Sequence, residues 1–360
     1  MKVLSFMILY LMILKGCSSV NIADTEKADK HAVIETIAKA LKEKYVFPDL
    51  GNKMACIIKN KMAKGRYSRF SMSQTLASQL EKDLFAITQD KHLHVVFTGA
   101  DDTGDLALKD SINMEKTNDN CGFNEAKMIS GNIGYIKIDR MAGEREATRI
   151  AALSIQQITP SKAIIFDLRD NRGGAAGMVV LLSSYLFDKP IHLYSMYNRL
   201  ENETKDVWTF TDLPGQKLGE ERPVYILTSS RTFSAAEGFA YSLKHHHRAI
   251  IVGERTGGGA HPMIWIELPS DFMLCIPFAR IIHPITETDW EGVGVVPHHS
   301  VSAENALKTA IDLINRSKYP PPGPPTHVHT ESDFNKEEAW CALHSWDYRK
   351  TTEFSMLISR

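Results

Sequence analysis

The amino-acid sequence predicts an α/β protein in which a small bundle of three helices precedes a core of buried strands and helices. Two observations predict this fold class. Apolar residues recur at helical spacing through residues 26–89. From residue 131 onward, short runs rich in Val and Ile alternate with helical segments, a pattern that is typical of a sheet covered by crossover helices.

The bundle is predicted from three amphipathic segments. "HAVIETIAKALKEKYV" places Val33, Ile37 and Leu41 on one helical face, and "FPDLG" then interrupts the pattern. "NKMACIIKNKMAKG" is a second helix that ends at Gly65, and "SMSQTLASQLEKDLFAIT" is a third helix that a serine opens. Because the loops between them are short, we predict a compact bundle over residues 26–97 and a connection over residues 98–130.

The α/β core is predicted over residues 131–318. It begins with a strand in "GNIGYIKIDRM", a helix in "EREATRIAALSIQQI", a strand in "KAIIFDLR" and an apolar helix in "AAGMVVLLSSYLF". Strands follow in "IHLYSMYN", "VWTFTD" and "PVYILTS", then a helix after Ser234 and a strand in "AIIVGE". "PMIWIEL", "DFMLCIPFA" and "RIIHP" are closely spaced strands, which favours antiparallel pairing, and "AENALKTAIDLINRS" is the last helix. A proline-rich linker and a tail occupy residues 319–360.

The composition of the chain excludes several classes of protein. Hydrophobic residues make up 43% of the chain and charged residues 24%, as in ordinary globular proteins. The net charge of −1 gives no reason to expect a nucleic-acid partner, and the residues after position 20 are too polar for a membrane span. The cysteines at positions 56, 121, 275 and 341 fit no zinc-binding spacing, although one disulfide could form among them.

The first residues have the features of a secretory signal. One Lys precedes an apolar run of 12 residues, which is too short for a comfortable transmembrane helix. The run ends in "LKGC", which resembles the cleavage site of bacterial lipoproteins. We therefore predict a signal peptide over residues 1–16, lipidation of Cys17 and a tether over residues 17–25. Because Ser18 and Ser19 follow Cys17, with no Asp there, the predicted location is the periplasmic face of the outer membrane. An uncleaved anchor and a plain signal peptide are the alternatives.

Ser234 has two interpretations from the sequence alone. It lies where a predicted strand turns into a helix, and Glu237 follows three residues later, so "SAAE" fits a helix-capping box. A serine at such a turn can also be an exposed nucleophile, which then needs a base, an orienting group and an oxyanion site. The rest of the chain has to decide between the two.

A pair of glycines, Gly173 and Gly174, follows a buried strand in "IIFDLRDNRGGAAG". Glycines at a strand end let the backbone approach a ligand closely and leave an amide free to face it, or they simply form a tight turn. The segment lacks both the Lys-Ser/Thr of a P-loop and the glycine spacing of a dinucleotide-binding loop. A phosphate-binding role is therefore disfavoured.

Four segments together resemble one known family. "DLRDNRGG", "TSSRTFSAAEGFAYSLK", "VGERTGGGAHP" and "EGVGVVPHHSV" are similar, in order and spacing, to the tail-specific (C-terminal processing) serine proteases. The similarity covers roughly residues 26–317 and is greatest with the branch that contains the interphotoreceptor retinoid-binding protein repeats and the tricorn core protease. It implies a crossover α/β sandwich core of the ClpP/crotonase-like type, in which residues 131–318 are the catalytic domain.

The resemblance also implies the first part of a site. Ser234 would be the nucleophile, and an oxyanion hole would be formed by the backbone amide of Ala235 and an amide of the pair Gly173 and Gly174. In the C-terminal processing branch the base is a Lys that lies 25 residues after the serine, a position that Gly259 occupies here. A Ser-Lys dyad is therefore excluded at that position.

The tricorn-like branch implies a different base. It matches His92, in "TQDKHLHVVF", to the general base and Glu291, in "WEGVGVVP", to the carboxylate that orients it. Lys91 precedes His92 where the tricorn protease has a Ser. His94 would share a strand face with His92 and is the alternative base. Either His92 or Glu291 could instead be an ordinary surface residue.

The histidine-rich "KHHHR" at residues 244–248 suggests a metal site at first sight. Consecutive residues at a helix end point in different directions, and His94, His261 and His283 lack the HExxH spacing of zinc hydrolases. We therefore expect no metal and no cofactor.

The sequence thus predicts an exported serine endopeptidase that cleaves peptides or unfolded C-terminal segments through an acyl-enzyme, with a lipid anchor as its only attachment to the membrane. Residues 98–130 are too few for the PDZ domain that the family often carries, so substrate selection would rest on the cleft between the bundle and the core. The alternative is a non-catalytic module that binds hydrophobic ligands or peptides on the same fold.

Overall fold

The computed structural model describes residues 22–99 and 120–316. The predicted signal peptide, Cys17, the proline-rich linker and the tail lie outside the described residues, as does most of the predicted connection. Within the described ranges, no helix is both long enough and apolar enough to cross a membrane.

The three predicted N-terminal helices are confirmed as α1 (Ile22–Lys44), α2 (Pro48–Ala63) and α3 (Gln74–Thr88). The break predicted at "FPDLG" lies between Lys44 and Pro48, but α2 begins already at Pro48, ahead of the predicted "NKMACII". Pro48 occupies the first turn of α2, where its missing N–H costs nothing. Ser73 caps α3, with its side chain accepting a hydrogen bond from the amide of Thr75 at 3.3 Å.

The remaining elements follow in chain order. Helices α4 (Arg145–Ile158), α5 (Ala176–Ser184), α6 (Ala235–His245) and α7 (Ala303–Arg316) lie in the core. The strands are β1 (His94–Phe97), β2 (Phe123–Ile129), β3 (Ile133–Ile138), β4 (Ala163–Asp167), β5 (His192–Asn198), β6 (Glu203–Trp208), β7 (Val224–Thr228), β8 (Ile250–Gly253), β9 (Met263–Leu268), β10 (Phe272–Pro277), β11 (Ala279–Ile282) and β12 (His299–Ser300). The α/β core predicted from the sequence is therefore present.

A six-stranded sheet forms the centre of this core, in the order β12-β8-β7-β4-β3-β2. All neighbouring pairs are parallel except β2 with β3. Every residue of β4 and β7 is buried, which explains their unbroken apolar runs. Helices α4, α5 and α6 pack on one face and α7 packs on the other, so the sheet lies between two helical layers.

The N-terminal helices share their core with a second sheet. Strands β1, β10 and β9 pair antiparallel in that order. Their inward side chains, including Val95, Phe272 and Leu274, join the buried apolar faces of α1, α2 and α3 in one cluster. The helices thus bury their apolar faces partly against strands from the other end of the chain. The predicted boundaries at residues 97 and 131 stay predictions.

A third sheet, in the order β11-β5-β6, is antiparallel as expected for the late strands. Its edge strand β6 begins at Glu203, ahead of the predicted "VWTFTD". The residues of β6 are almost all exposed, so no apolar alternation marked its start.

Parallel pairing places two loops side by side. Strands β4 and β7 are adjacent and end at Asp167 and Thr228, so the loops that follow them emerge at the same edge of the sheet. Asn171 joins these loops: its carbonyl oxygen accepts from the amide of Phe233 at 3.0 Å, and its side chain donates to the carbonyl of Ile138 at 3.0 Å. The glycine pair is thereby brought next to Ser234.

Candidate active site

Ser234 lies in a strained turn at the start of α6. Its φ of 54° and ψ of −122° differ from the extended backbone of an ordinary helix cap. Such a conformation is rare for a residue with a side chain, and it costs about 1–3 kcal/mol unless the surroundings hold it in place. A sharp strand-to-helix turn of this kind exposes a serine hydroxyl. The backbone therefore favours the nucleophile over the simple cap.

Glu237 holds this turn in place. Its buried carboxylate accepts hydrogen bonds from the amides of Ser234, Gly258 and Gly259 at 2.8, 2.6 and 2.9 Å, and also from the hydroxyl of Thr256. Burial raises the pKa of Glu237, and these hydrogen bonds oppose the increase. The predicted pairing of Glu237 with Ser234 is present, but it serves to tie the turn to the loop at residues 256–259.

The glycine pair lies against the same turn. A Cβ atom at Gly173 would lie 2.7 Å from Cβ of Ser234 and 3.0 Å from the amide nitrogen of Ala235, so only glycine fits there. The amide of Gly173 donates to Oδ1 of Asn171 at 2.8 Å, which removes Gly173 from the predicted oxyanion donors. Among the described residues, the amides of Gly174 and Ala235 have no hydrogen-bond acceptor. Those two amides remain the candidate oxyanion donors.

His92 approaches Ser234 from the other part of the chain. It lies in the loop between α3 and β1, is 7% exposed, and its Nε2 is 3.1 Å from Oγ of Ser234. Its ring packs against Phe233 with a centroid distance of 4.8 Å. His94, the alternative base, instead pairs through Nδ1 with Oε1 of Glu81 at 3.1 Å. The structure thus brings His92, and not His94, to the serine.

Gly259 makes room for this histidine. A Cβ atom at position 259 would lie 2.7 Å from Cε1 of His92 and 2.2 Å from Cζ of Phe233. Contacts that short do not occur between real atoms, so a side chain at this position would displace the imidazole. The nearby Lys91 is exposed and donates through Nζ to the carbonyl of Gly257.

Glu291 lies behind the imidazole, between β11 and β12. Its Oε2 accepts from the amide of Ala260 at 2.5 Å, while its Oε1 is buried and has no hydrogen-bond partner. Nδ1 of His92 is likewise buried without a partner. One ring nitrogen of His92 and one oxygen each of Asp90 and Glu291 lie within 4.8 Å of one another. Nδ1 of His92 and Oε1 of Glu291 are thus both buried without a partner in neighbouring residues, and no hydrogen bond joins the two side chains.

Burial sets the ionisation of both groups. It lowers the pKa of His92 to about 4, so the imidazole is the neutral, proton-accepting form at neutral pH. Burial also raises the pKa of Glu291 to about 7, against the attraction of His261. Glu291 is thus charged above about pH 7 and neutral below it.

Two buried residues complete the site, and the sequence assigned no role to them. Asp90 accepts from the amide of His92 at 3.0 Å through Oδ1, and from the hydroxyl of Tyr45 at 3.0 Å through Oδ2. The same Oδ2 lies 2.8 Å from Nδ1 of His261, which is 3.5 Å from Oε2 of Glu291. Asp90 lies two residues before His92 in the sequence, and this spacing is the feature that could have indicated its role beside the base.

Asp90, His92 and Glu291 are the one group of three potential ligands that lies close enough to hold a metal ion in the described part of the chain. Both oxygens of Asp90 already accept hydrogen bonds, and Nε2 of His92 faces Ser234. This donor set suits proton transfer better than a cation. His283 packs near His246, with ring centroids 4.8 Å apart, but that cluster brings no three ligand atoms together among these residues.

Comparison with known proteins decides the family. A model of peptidase family S41 matches residues 132–301, and a model of the N-terminal domain of these peptidases in eukaryotic IRBP matches residues 20–120. The chain belongs to peptidase family S41. Among curated relatives, the chloroplastic carboxyl-terminal-processing peptidase 2 of Arabidopsis thaliana is 29% identical over 47% of this chain and 32% of its own length. The chain thus spans about a third of that relative.

Solved structures support the S41 fold. Mature CPAF superimposes with a TM-score of 0.57 at 12% identity, over 82% of this chain and 97% of its own. The tricorn protease superimposes with a TM-score of 0.55 at 13% identity, over 80% of this chain and 36% of its own. At such identities the likeness concerns the fold, so the roles of individual residues rest on the geometry described above.

Proposed function

We propose that this S41 protein is an exported serine endopeptidase that cleaves peptides or unfolded C-terminal segments of proteins. The observation that carries the proposal is the strained Ser234, whose Oγ lies 3.1 Å from a neutral, buried His92. The processing peptidases among the curated relatives agree with this reaction class. No metal or cofactor has a part in it.

The proposed mechanism is acyl transfer through a Ser-His-Glu triad. Oγ of Ser234 attacks the scissile carbonyl while Nε2 of His92 takes its proton, and the amides of Gly174 and Ala235 donate to the developing oxyanion. His92 then returns the proton to the leaving amine as the C–N bond breaks. Water repeats the cycle on the acyl-enzyme and frees the product. Glu291 accepts from Nδ1 of the ring after a small movement of its carboxylate, and it stabilises the imidazolium.

A serine-reactive fluorophosphonate probe tests this proposal. Purified wild-type protein should be labelled and should hydrolyse fluorescein-labelled casein, because the serine is activated. Ser234→Ala should lose both properties completely. Ser230→Ala is the matched control, since Ser230 is an exposed serine of the same loop, and it should be labelled like wild type. Labelling that persists in Ser234→Ala would show that another residue is the nucleophile.

The second candidate function is a binding module without catalysis. The match of residues 20–120 to the N-terminal domain in eukaryotic IRBP is the observation that favours it. Wild-type protein that neither reacts with the probe nor cleaves casein, yet binds a fluorescent fatty-acid probe or an unfolded peptide, would establish this function and exclude the peptidase.

For the location, we propose a periplasm-facing lipoprotein of the outer membrane, supported by the apolar run that ends in "LKGC". In a bacterial host, Cys17→Ser should release the protein from the membrane fraction or leave the precursor uncleaved. Ser19→Ala is the control and should leave the fractionation unchanged. Mass spectrometry that finds an unmodified Cys17 in membrane-bound mature protein would contradict the proposal.

A further inference from the structure

A buried polar array extends the site away from Ser234. Behind His92 lie two carboxylates, Asp90 and Glu291, and Nδ1 of His261 is 2.8 Å from the first and 3.5 Å from the second. His261 is 5% exposed and Asp90 is 2% exposed. Among the described residues His261 has no hydrogen bond to Ser234 or His92, and the mechanism proposed above gives it no role.

The two carboxylates need a compensating charge. Their oxygens lie within 4.8 Å of each other in a buried setting, where two like charges cannot both persist unless a cation or several donors stabilise them. Asp90 has donors of its own in the amide of His92 and the hydroxyl of Tyr45. Glu291 has the amide of Ala260 on one oxygen only. Glu291 is therefore the carboxylate that takes up a proton when the compensating charge is missing.

We propose that His261 is a positioning residue: its imidazolium, held between Asp90 and Glu291, keeps Glu291 ionised behind the base His92. With His261 charged, the two carboxylates and the imidazolium leave one net negative charge next to a neutral His92. Proton transfer from Ser234 to His92 then leaves the array and the imidazolium of His92 with no net charge together, while one negative charge moves onto the oxyanion, which the amides of Gly174 and Ala235 stabilise. The net negative charge of the array thus favours the imidazolium of the base. This inference rests on the proposed peptidase function.

The surroundings of His261 agree with a cation there. The rings of His261 and Phe47 pack in a T-shaped arrangement, with a centroid distance of 5.3 Å and an interplanar angle of 70°. Burial alone would lower its pKa, but the hydrogen bond and charge of Asp90, with the charges of Glu291 and Asp289, give a net increase. The titratable groups that face the array are Tyr45, Asp90, His92, Cys275, Asp289 and Glu291.

Two variants separate charge from packing. His261→Asn keeps one N–H donor without a charge, and His261→Ala removes both. We measure the rate of fluorophosphonate labelling from pH 5 to pH 10 for each variant, with melting temperatures to check folding. In wild type the rate should rise with pH as Glu291 ionises, near pH 7. In both variants that rise should move up by about one to three pH units, the usual effect of losing an opposite charge at this range.

The control is His94→Ala, because His94 also pairs with a carboxylate, Glu81, but lies in a more exposed position. Its pH profile should match that of wild type. A wild-type profile in His261→Asn would overturn the proposal, since a donor would then suffice. A loss of rate by the same factor at every pH would overturn it too, because it would indicate packing alone.

A second measurement keeps this inference separate from the peptidase proposal. Nitrogen-15 NMR of the imidazole groups in Ser234→Ala protein at pH 7 reports the state of His261 without any turnover. Both ring nitrogens of His261 should carry a proton, whereas those of His92 should show a neutral ring. A neutral His261 would overturn the inference even if the enzyme is active. If His261 is charged but the probe does not label the wild-type protein, the inference about the charge of His261 holds and the peptidase function is excluded.

Discussion

Replacing His92 with Ala is expected to lower kcat by about 10⁴ to 10⁶-fold, the usual effect of losing the base of a serine hydrolase. The reason is geometric, since Nε2 of His92 is 3.1 Å from Oγ of Ser234 and a glycine takes the place of the alternative lysine. The rate of fluorophosphonate labelling and kcat on a peptide substrate measure the effect. KM should change little, because the imidazole does not hold the substrate.

The control for this prediction is His94→Ala. His94 points to Glu81 on α3, so its loss should change kcat by less than about threefold, as for surface substitutions generally. If His94→Ala is inactive while His92→Ala keeps its activity, His94 is the base and the assignment of His92 is wrong. The melting temperatures of both variants should equal that of wild type. This check is needed because His92 also packs on Phe233, so its loss could affect folding.

Replacing Glu291 with Gln is expected to lower kcat by about 10² to 10⁴-fold, by analogy with the carboxylate of other triads. Gln keeps the shape of the side chain but removes the charge that stabilises the imidazolium of His92. The side chain of Glu291 is only 18% exposed, so solvent screening is limited and the effect should be large. The control is Glu287→Gln, an exposed carboxylate of the same segment, and it should leave kcat unchanged.

The pH profile gives this second prediction a distinct signature. The pKa of Glu291 is raised to about 7 by burial, so the carboxylate forms as the pH rises through 7, and wild-type kcat/KM should rise there. Glu291→Gln has no such ionisation, and its remaining activity should fall only near pH 4, where His92 becomes protonated. A Gln variant that retains the rise near pH 7 would exclude Glu291 as its source and leave a Ser-His pair.

Much of the fold could be predicted because its apolar pattern is strong. β4 and β7 are fully buried and α4 is amphipathic, so composition and period identified them. β2 and the start of β6 were missed because they are edge strands whose polar residues face water. The sharing of one core by the N-terminal helices and β10 could not be predicted, since it depends on pairing between β1 and β10, which are far apart in the chain.

The candidate site, like the fold, could be predicted only in part. Ser234, His92 and the glycine pair lie in segments that resemble a known family, and the structure gathers them. Glu291 is near His92 but is not hydrogen-bonded to it. The hydrogen bond from the amide of Gly173 to Asn171 could not be predicted, because it depends on the geometry of the turn and not on the local sequence alone. Asp90 and His261 are separated by 171 positions, so only the folded chain shows that they touch.

The empty space at Gly259 has an evolutionary consequence. His92 and a side chain at position 259 would occupy the same volume, since a Cβ there would come within 2.7 Å of the imidazole. A side chain gained at this position would therefore force the rings of His92 and Phe233 to shift. In this chain, exchanging the histidine base for a lysine at position 259 would thus need both positions to change together.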